Sequence, residues 1–157
     1  MLQYRYMQQP PSVHRVLANS YITYLLFCTF GLFGDIFFPV RLTVPEGKTL
    51  AIIFLIVGPL FIAWAQYTSY RFEKVKEQTG SPQFLRGPYR HFRNPTQIGL
   101  LFLVAGYALA TGAIMLFLAT VLAYVTSNIF FRKHEAILEH RYGDTYTQYK
   151  KSVDKIL

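Results

Sequence analysis

Two polar clusters carry the residues able to do chemistry. The first, residues 86–99, reads Arg-Gly-Pro-Tyr-Arg-His-Phe-Arg-Asn-Pro-Thr-Gln-Ile-Gly and is basic and turn-rich. The second, Arg132-Lys133-His134-Glu135, follows an uncharged apolar stretch that ends at Phe131. If that stretch is a hairpin, both clusters return to one membrane face, where arginines meet an acid, and their pairing is the candidate active site. Asn94 before Pro95 reads as a helix start: an Asn side chain accepts from orphan backbone donors, and proline at the first helical position sacrifices no hydrogen bond. Metal chemistry is not expected. His134 and His140 are six residues apart, roughly 240° around a helix, whereas the zinc-protease pattern needs a spacing of four. Cys28 is the single cysteine, which excludes an internal disulfide framework and reads as a small buried hydrophobe.

The elements that must position these clusters are apolar helices. Of 157 residues, 52% are hydrophobic, 17% aromatic and only 15% charged, far from the balance of a soluble domain. The expected fold is all-α: one polytopic domain over residues 1–157 with about four transmembrane helices at 20–38, 49–67, 95–109 and 113–131. The last two form the hairpin, and an interfacial helix follows. The first run is longer than a signal-peptide core and lacks a small-residue cleavage pattern, so it reads as a retained span. Asp35, near its far end, reads as an interfacial residue. Gly58-Pro59 in the second run predicts a kink, which can open a cavity, and Trp64, Tyr67 and Tyr70 fall where an aromatic belt would.

Residues 71–97 begin as a helical extension that breaks at Gly80-Ser81-Pro82. The uncharged stretch 98–131 is 34 residues, too long for one ordinary span and slightly short for two of about 20 each. Ala110-Thr111-Gly112 supplies a turn; a single, very tilted helix is the competing reading. After Phe131 the helix continues to Tyr142-Gly143, and Asp144 caps a last helix. Tyr146, Tyr149, Val153 and Ile156 share one face there, with lysines elsewhere directed at lipid phosphates.

Formal charge is +8, which in a soluble protein would suggest nucleic acid. Here the charges sit in loops beside apolar runs, so anionic headgroups and the orientation rule account for them, and no nucleic-acid partner is expected. With four spans, one side carries 14 of the 16 Lys and Arg and the other 2. That places both termini and the 71–97 loop in the cytoplasm. The scarcity of ionisable residues inside the spans argues against a transporter. Oligomeric state is left open.

The clusters in order show Gly87-Pro88-Tyr89-Arg90, then Asn94-Pro95, Gln97 and Gly99, then the hairpin. Beyond it come His134-Glu135-Ala136-Ile137-Leu138, and Tyr142-Gly143 with Tyr146 and Tyr149. This resembles the integral membrane methyltransferases, which include isoprenylcysteine carboxyl methyltransferase and the phospholipid N-methyltransferases. Their shared pattern is Arg-x-x-x-His-Pro-x-Tyr-x-Gly, a hydrophobic hairpin, Glu-Glu-x-x-Leu and Phe-Gly-x-x-Tyr-x-x-Tyr. The likeness covers residues 86–153 well and earlier residues only by hydropathy. Asn94 stands where the family has His, Gln97 where it has Tyr, and His134 where it has the first Glu.

The resemblance implies S-adenosylmethionine bound between the clusters, as methyl donor to a lipophilic or small acceptor. Before the hairpin it implies cofactor contacts from Tyr89, Arg90, Arg93, Asn94, Pro95, Gln97 and Gly99. Beyond it the implied contacts are His134, Glu135 and Leu138. Arg90 and Glu135 are the residues implied at the chemistry. The residue types suit that ligand: Glu135 can accept from an ammonium or ribose hydroxyls, while Arg90, Arg93 and the helix start offer donors to a carboxylate. Gly99 lets a ligand or a neighbouring helix approach the backbone. The competing reading is a non-catalytic membrane protein on the same fold, its activity lost through the changes at Asn94, Gln97 and His134.

Overall fold

The computed structural model describes residues 13–41, 43–79 and 85–153; for 13–20, 72–79, 133, 134 and 141 it describes the backbone alone. The expectations for residues 1–12, for the break at Gly80-Ser81-Pro82 and for Ile156 lie outside the described residues. Five helices follow in order: α1 (Val13–Phe37), α2 (Gly47–Thr79), α3 (Pro95–Thr111), α4 (Ile114–Tyr142) and α5 (Asp144–Ser152), with a 3-10 turn at Gly87–Arg90. Among the described residues there is no strand, only an isolated bridge between Arg41 and Ala113. Two helices among the described residues are long and apolar enough to cross a membrane, Gly47–Arg71 within α2 and Ile114–His140 within α4. Two shorter apolar helices accompany them, Tyr21–Phe37 and Pro95–Thr111.

The hairpin turn falls where Ala110-Thr111-Gly112 suggested. Gly112 ends α3 with φ +67°, a left-handed conformation that costs glycine nothing, and its N–H returns to the Ala108 carbonyl. The single tilted helix is therefore excluded. Helix α4 then runs without a break through Arg132 and Glu135 and ends at Gly143, whose N–H donates to Glu139 at 2.8 Å. Both polar clusters thus ride on helices that begin or end within the same bundle end.

Helices α2 and α3 pack side by side, as do α1 and α4, and α3 joins the pairs through its contacts with α4. Small residues set the α2–α3 distance. A Cβ on Gly58 would stand 2.7 Å from the Leu103 amide nitrogen and 2.9 Å from the Gly99 carbonyl oxygen, and one on Gly106 would meet Leu55 nitrogen at 3.1 Å. Backbones this close gain dispersion contact along their length. Helix α2 continues through Pro59 to Thr79. Where an opening was expected at Gly58-Pro59 there is instead a close helix contact, because the glycine lets α3 approach. The outer faces stay apolar: Phe30 and Phe37 are 73% and 75% exposed. In water such a belt would aggregate; in a bilayer it meets acyl chains. Trp64, Tyr67 and Tyr70 are exposed together on α2, as a belt requires.

Asp35 does more than sit near a helix end. Its two carboxylate oxygens accept from the Met115 and Leu116 amides at 3.1 and 3.0 Å, so α1 caps the first turn of α4. An acid there satisfies orphan donors and faces the positive end of the helix dipole. Asp144, by contrast, is not the cap of α5: Gly143 holds that position, and Asp144 lies in the first turn.

Replacing Gly58 by Ala should lower stability by about 1–3 kcal/mol, because the new methyl meets backbone rather than a movable side chain. Thermal unfolding in detergent checks this, with exposed Leu60→Ala expected to cost far less.

Candidate active site

The site is built from the start of α3, the last turns of α4 and all of α5. Asn94 caps α3 as its sequence suggested: its side-chain oxygen accepts from the Gln97 amide at 3.4 Å, its amide nitrogen donates to Gln97 Oε1 at 2.8 Å, and Pro95 takes the first helical position. Gln97 is buried and donates onward to the Tyr124 carbonyl at 3.1 Å, which ties the start of α3 to the middle of α4. With Asn94, Pro95 and Gln97 so locked, Arg93 leaves the helix start in one direction.

Arg93 is the hub. Its Nε donates to the Val153 carbonyl at 2.8 Å, one Nη to the Lys150 carbonyl at 2.7 Å, and the other to Glu135 at 3.1 Å. The carbonyls belong to the C-terminal end of α5, where the helix leaves acceptors unpaired. Glu135 is 5% exposed, so it needs the guanidinium to carry its charge. Its second oxygen stands 3.7 Å from Lys150 Nζ, while that ammonium donates to Glu139 at 2.7 Å. Hydrogen bonding to Glu139 raises the Lys150 pKa above 10.5.

A hydrophobic cluster of Tyr146, Tyr149 and Val153 seats α5 beneath this network, with Leu138 and Tyr142 packed against it. The Tyr149 hydroxyl donates to the Tyr89 carbonyl at 2.9 Å. Burial pushes the phenols of Tyr146 and Tyr149 upward from 10.0, and burial pushes Tyr89 upward too.

Of the residues singled out in the sequence, the fold brings Arg93, Glu135, Asn94, Pro95 and Gln97 together. Arg90 ends the 3-10 turn with an exposed side chain, and the acid it was expected to accompany is held by Arg93. Tyr89 contributes its carbonyl. Gly99 serves a neighbouring helix, since a Cβ there would stand 2.6 Å from Ile62 Cγ1 and 3.0 Å from the Gly58 carbonyl. Leu138 is apolar packing, and the His134 side chain lies outside the described residues. Lys150 was assigned to lipid phosphates and instead faces two acids. The Lys150 and Val153 carbonyls went unforeseen, because a backbone acceptor has no side-chain signature. The i, i+3, i+7 spacing of Tyr146, Tyr149 and Val153 did foretell the buried face that delivers them.

An all-helical bundle with an apolar exterior, two helices able to cross a membrane and an ion-pair network gathered at one end has the make-up of a membrane protein. The particular family follows from a wider comparison: the chain belongs to the phospholipid methyltransferase family, whose model matches residues 47–145. No curated protein and no solved structure matches it. Membership implies membrane methyltransferase activity and bears out the resemblance read from residues 86–153.

Arg93→Ala should cost about 3–5 kcal/mol, the range for stranding a buried charge, and should free α5. Faster cleavage at Lys150 and Lys151 under limited trypsin treatment would report it. Alkaline pH should act in the same direction. The raised Lys150 pKa contributes stability that is complete below 10.5 and lost as the pH climbs through the folded value. Unfolded tyrosines ionise above 10.0 while Tyr146 and Tyr149 resist, which also favours undocking. Protection of α5 should therefore be flat at neutral pH and fall from about 10 upward, and Tyr149→Phe should blunt that fall.

Proposed function

We propose that the chain transfers a methyl group from S-adenosylmethionine to a lipophilic or small acceptor, through a carboxylate, amine or thiol, at the cytoplasmic face of its membrane. The observation that carries this reading is the Arg93–Glu135 contact of 3.1 Å with Lys150 3.7 Å from the same acid. Residues from both sides of the hairpin thereby offer a buried anion and two cations to one small zwitterion. All four apolar helices cross the bilayer in this reading, α1 and α3 completing the bundle. The 14-to-2 partition of Lys and Arg sets the termini and residues 71–97 in the cytoplasm, where α5 lies along the surface.

The residues fit the donor. Glu135 has one oxygen committed to Arg93, and the other faces Lys150 at a distance beyond a hydrogen bond, so an ammonium or ribose hydroxyls can take it. Lys150 and the exposed Arg90 supply charge for a carboxylate. When bound, S-adenosylmethionine supplies a methyl on a sulfonium whose charge disappears on transfer. The chain's part is alignment and exclusion of water more than strong acid or base chemistry. Pro88, Pro95, Thr96 and Gln97 around the start of α3 are buried and exclude water from that side, while Glu135 fixes the donor's orientation. The acceptor arrives from the bilayer, which surrounds the bundle.

A non-catalytic role on the same fold is favoured by one feature. Arg93 already spends three nitrogens on protein acceptors, as a purely structural clamp would. Calorimetry with S-adenosylmethionine separates the readings, followed by incubation of membranes with radiolabelled donor and extraction of the labelled product. Binding and a labelled product are expected; binding without any labelled product supports the clamp. Glu135→Ala should weaken donor affinity about tenfold or more, as loss of a charge-assisted contact worth about 1.5–3 kcal/mol requires. Unchanged affinity would remove Glu135 from the site.

A further inference from the structure

The opposite end of the bundle holds a groove of about 440 Å³ lined by Leu32, Asp35, Ile36, Arg41, Tyr107 and Thr111, among others. It opens where α1 and α3 end and α4 begins. Along α4 it is 22 residues from Glu135, roughly 30 Å at helical rise, so it is no part of the site above.

Two features make it a built site. Arg41 is fixed twice, by its backbone bridge to Ala113 and by donation from Nη1 to the Thr111 carbonyl at 3.1 Å. The guanidinium keeps further N–H donors, and the side chain is exposed. Asp35 is fixed by the Met115 and Leu116 amides, one to each carboxylate oxygen, which leaves a lone pair on each for another donor. One groove therefore presents a held cation and a held anion. Its remaining walls are apolar and continue into the lipid-facing surface, with Ile36 71% and Tyr107 48% exposed.

We propose that this groove binds one phospholipid with a zwitterionic headgroup, its phosphate on Arg41, its ammonium on Asp35 and an acyl chain along Leu32, Ile36 and Tyr107. The paired charges select the head and the apolar wall selects the tail. An anionic head without an ammonium would gain Arg41 but meet Asp35 as a like charge.

Native mass spectrometry of the detergent-purified chain tests this with short-chain phosphatidylethanolamine, phosphatidylglycerol and inorganic phosphate as separate ligands. One phosphatidylethanolamine should be retained about tenfold better than phosphatidylglycerol, in keeping with one charge-assisted contact, and phosphate should not compete. Arg41→Gln should cut retention about tenfold. Ile36→Trp, which fills the wall without touching the Arg41–Thr111 bond, should do the same at unchanged thermal stability, so the test survives if Arg41→Gln misfolds. Equal retention of the two lipids, displacement by phosphate, or retention unaffected by Ile36→Trp would each overturn the proposal.

Discussion

One guanidinium holds the polar end of this protein together. Arg93 reaches from the residue before the α3 cap to an acid on α4 and to two carbonyls at the end of α5, segments 42 to 60 residues further along the chain. Each partner is one that water would otherwise have to satisfy: a carboxylate almost out of contact with solvent and helix-end carbonyls with no further turn to bond. A planar fork can meet acceptors in several directions at once, which an ammonium on a flexible stem cannot. That geometry makes α5 part of the site rather than a tail beside it.

The clamp depends on helices that approach closely enough to align it. Lipid gives apolar helices no solvent-driven reason to associate, so close backbone contact has to supply the attraction. Gly58, Gly99 and Gly106 do this between α2 and α3, and Gln97 fastens the start of α3 to α4 through a buried amide. The neutral, tightly packed floor and the charged roof are complementary. The floor sets where Arg93 emerges, and the low dielectric beneath strengthens the ion pair above.

How much of this was legible follows from where the signals lie. The Asn94-Pro95 start, the Gly112 turn and the continuation of α4 into Glu135 rest on local backbone rules and were readable in the sequence. The meeting of an arginine with Glu135 followed from the hairpin. Which arginine was not readable, because Arg90 and Arg93 are three residues apart and the 3-10 turn decides which faces inward. Gly58-Pro59 misled because a proline inside a helix implies an opening only if no neighbour fills it, and the neighbour's glycines are 41 and more residues away. The lysines of α5 were read against lipid because Glu135 and Glu139 could not be placed beside them without the fold. Gly99 had two readings, and its close approach to Ile62 and Gly58 shows the helix-packing one.

The Asp35 cap bears on how the bundle is made. The matched family region begins at residue 47, so α1 falls outside it, yet α1 supplies the only side chain that bonds the leading amides of α4 among the described residues. Those amides are synthesised later than Asp35, and as the leading donors of a helix they have no carbonyl of a preceding turn to bond. The first helix is therefore a template laid down in advance: biogenesis of the terminal hairpin is completed on a segment already made, and a shortened protein starting at the family boundary would deliver that hairpin with its tip unsealed.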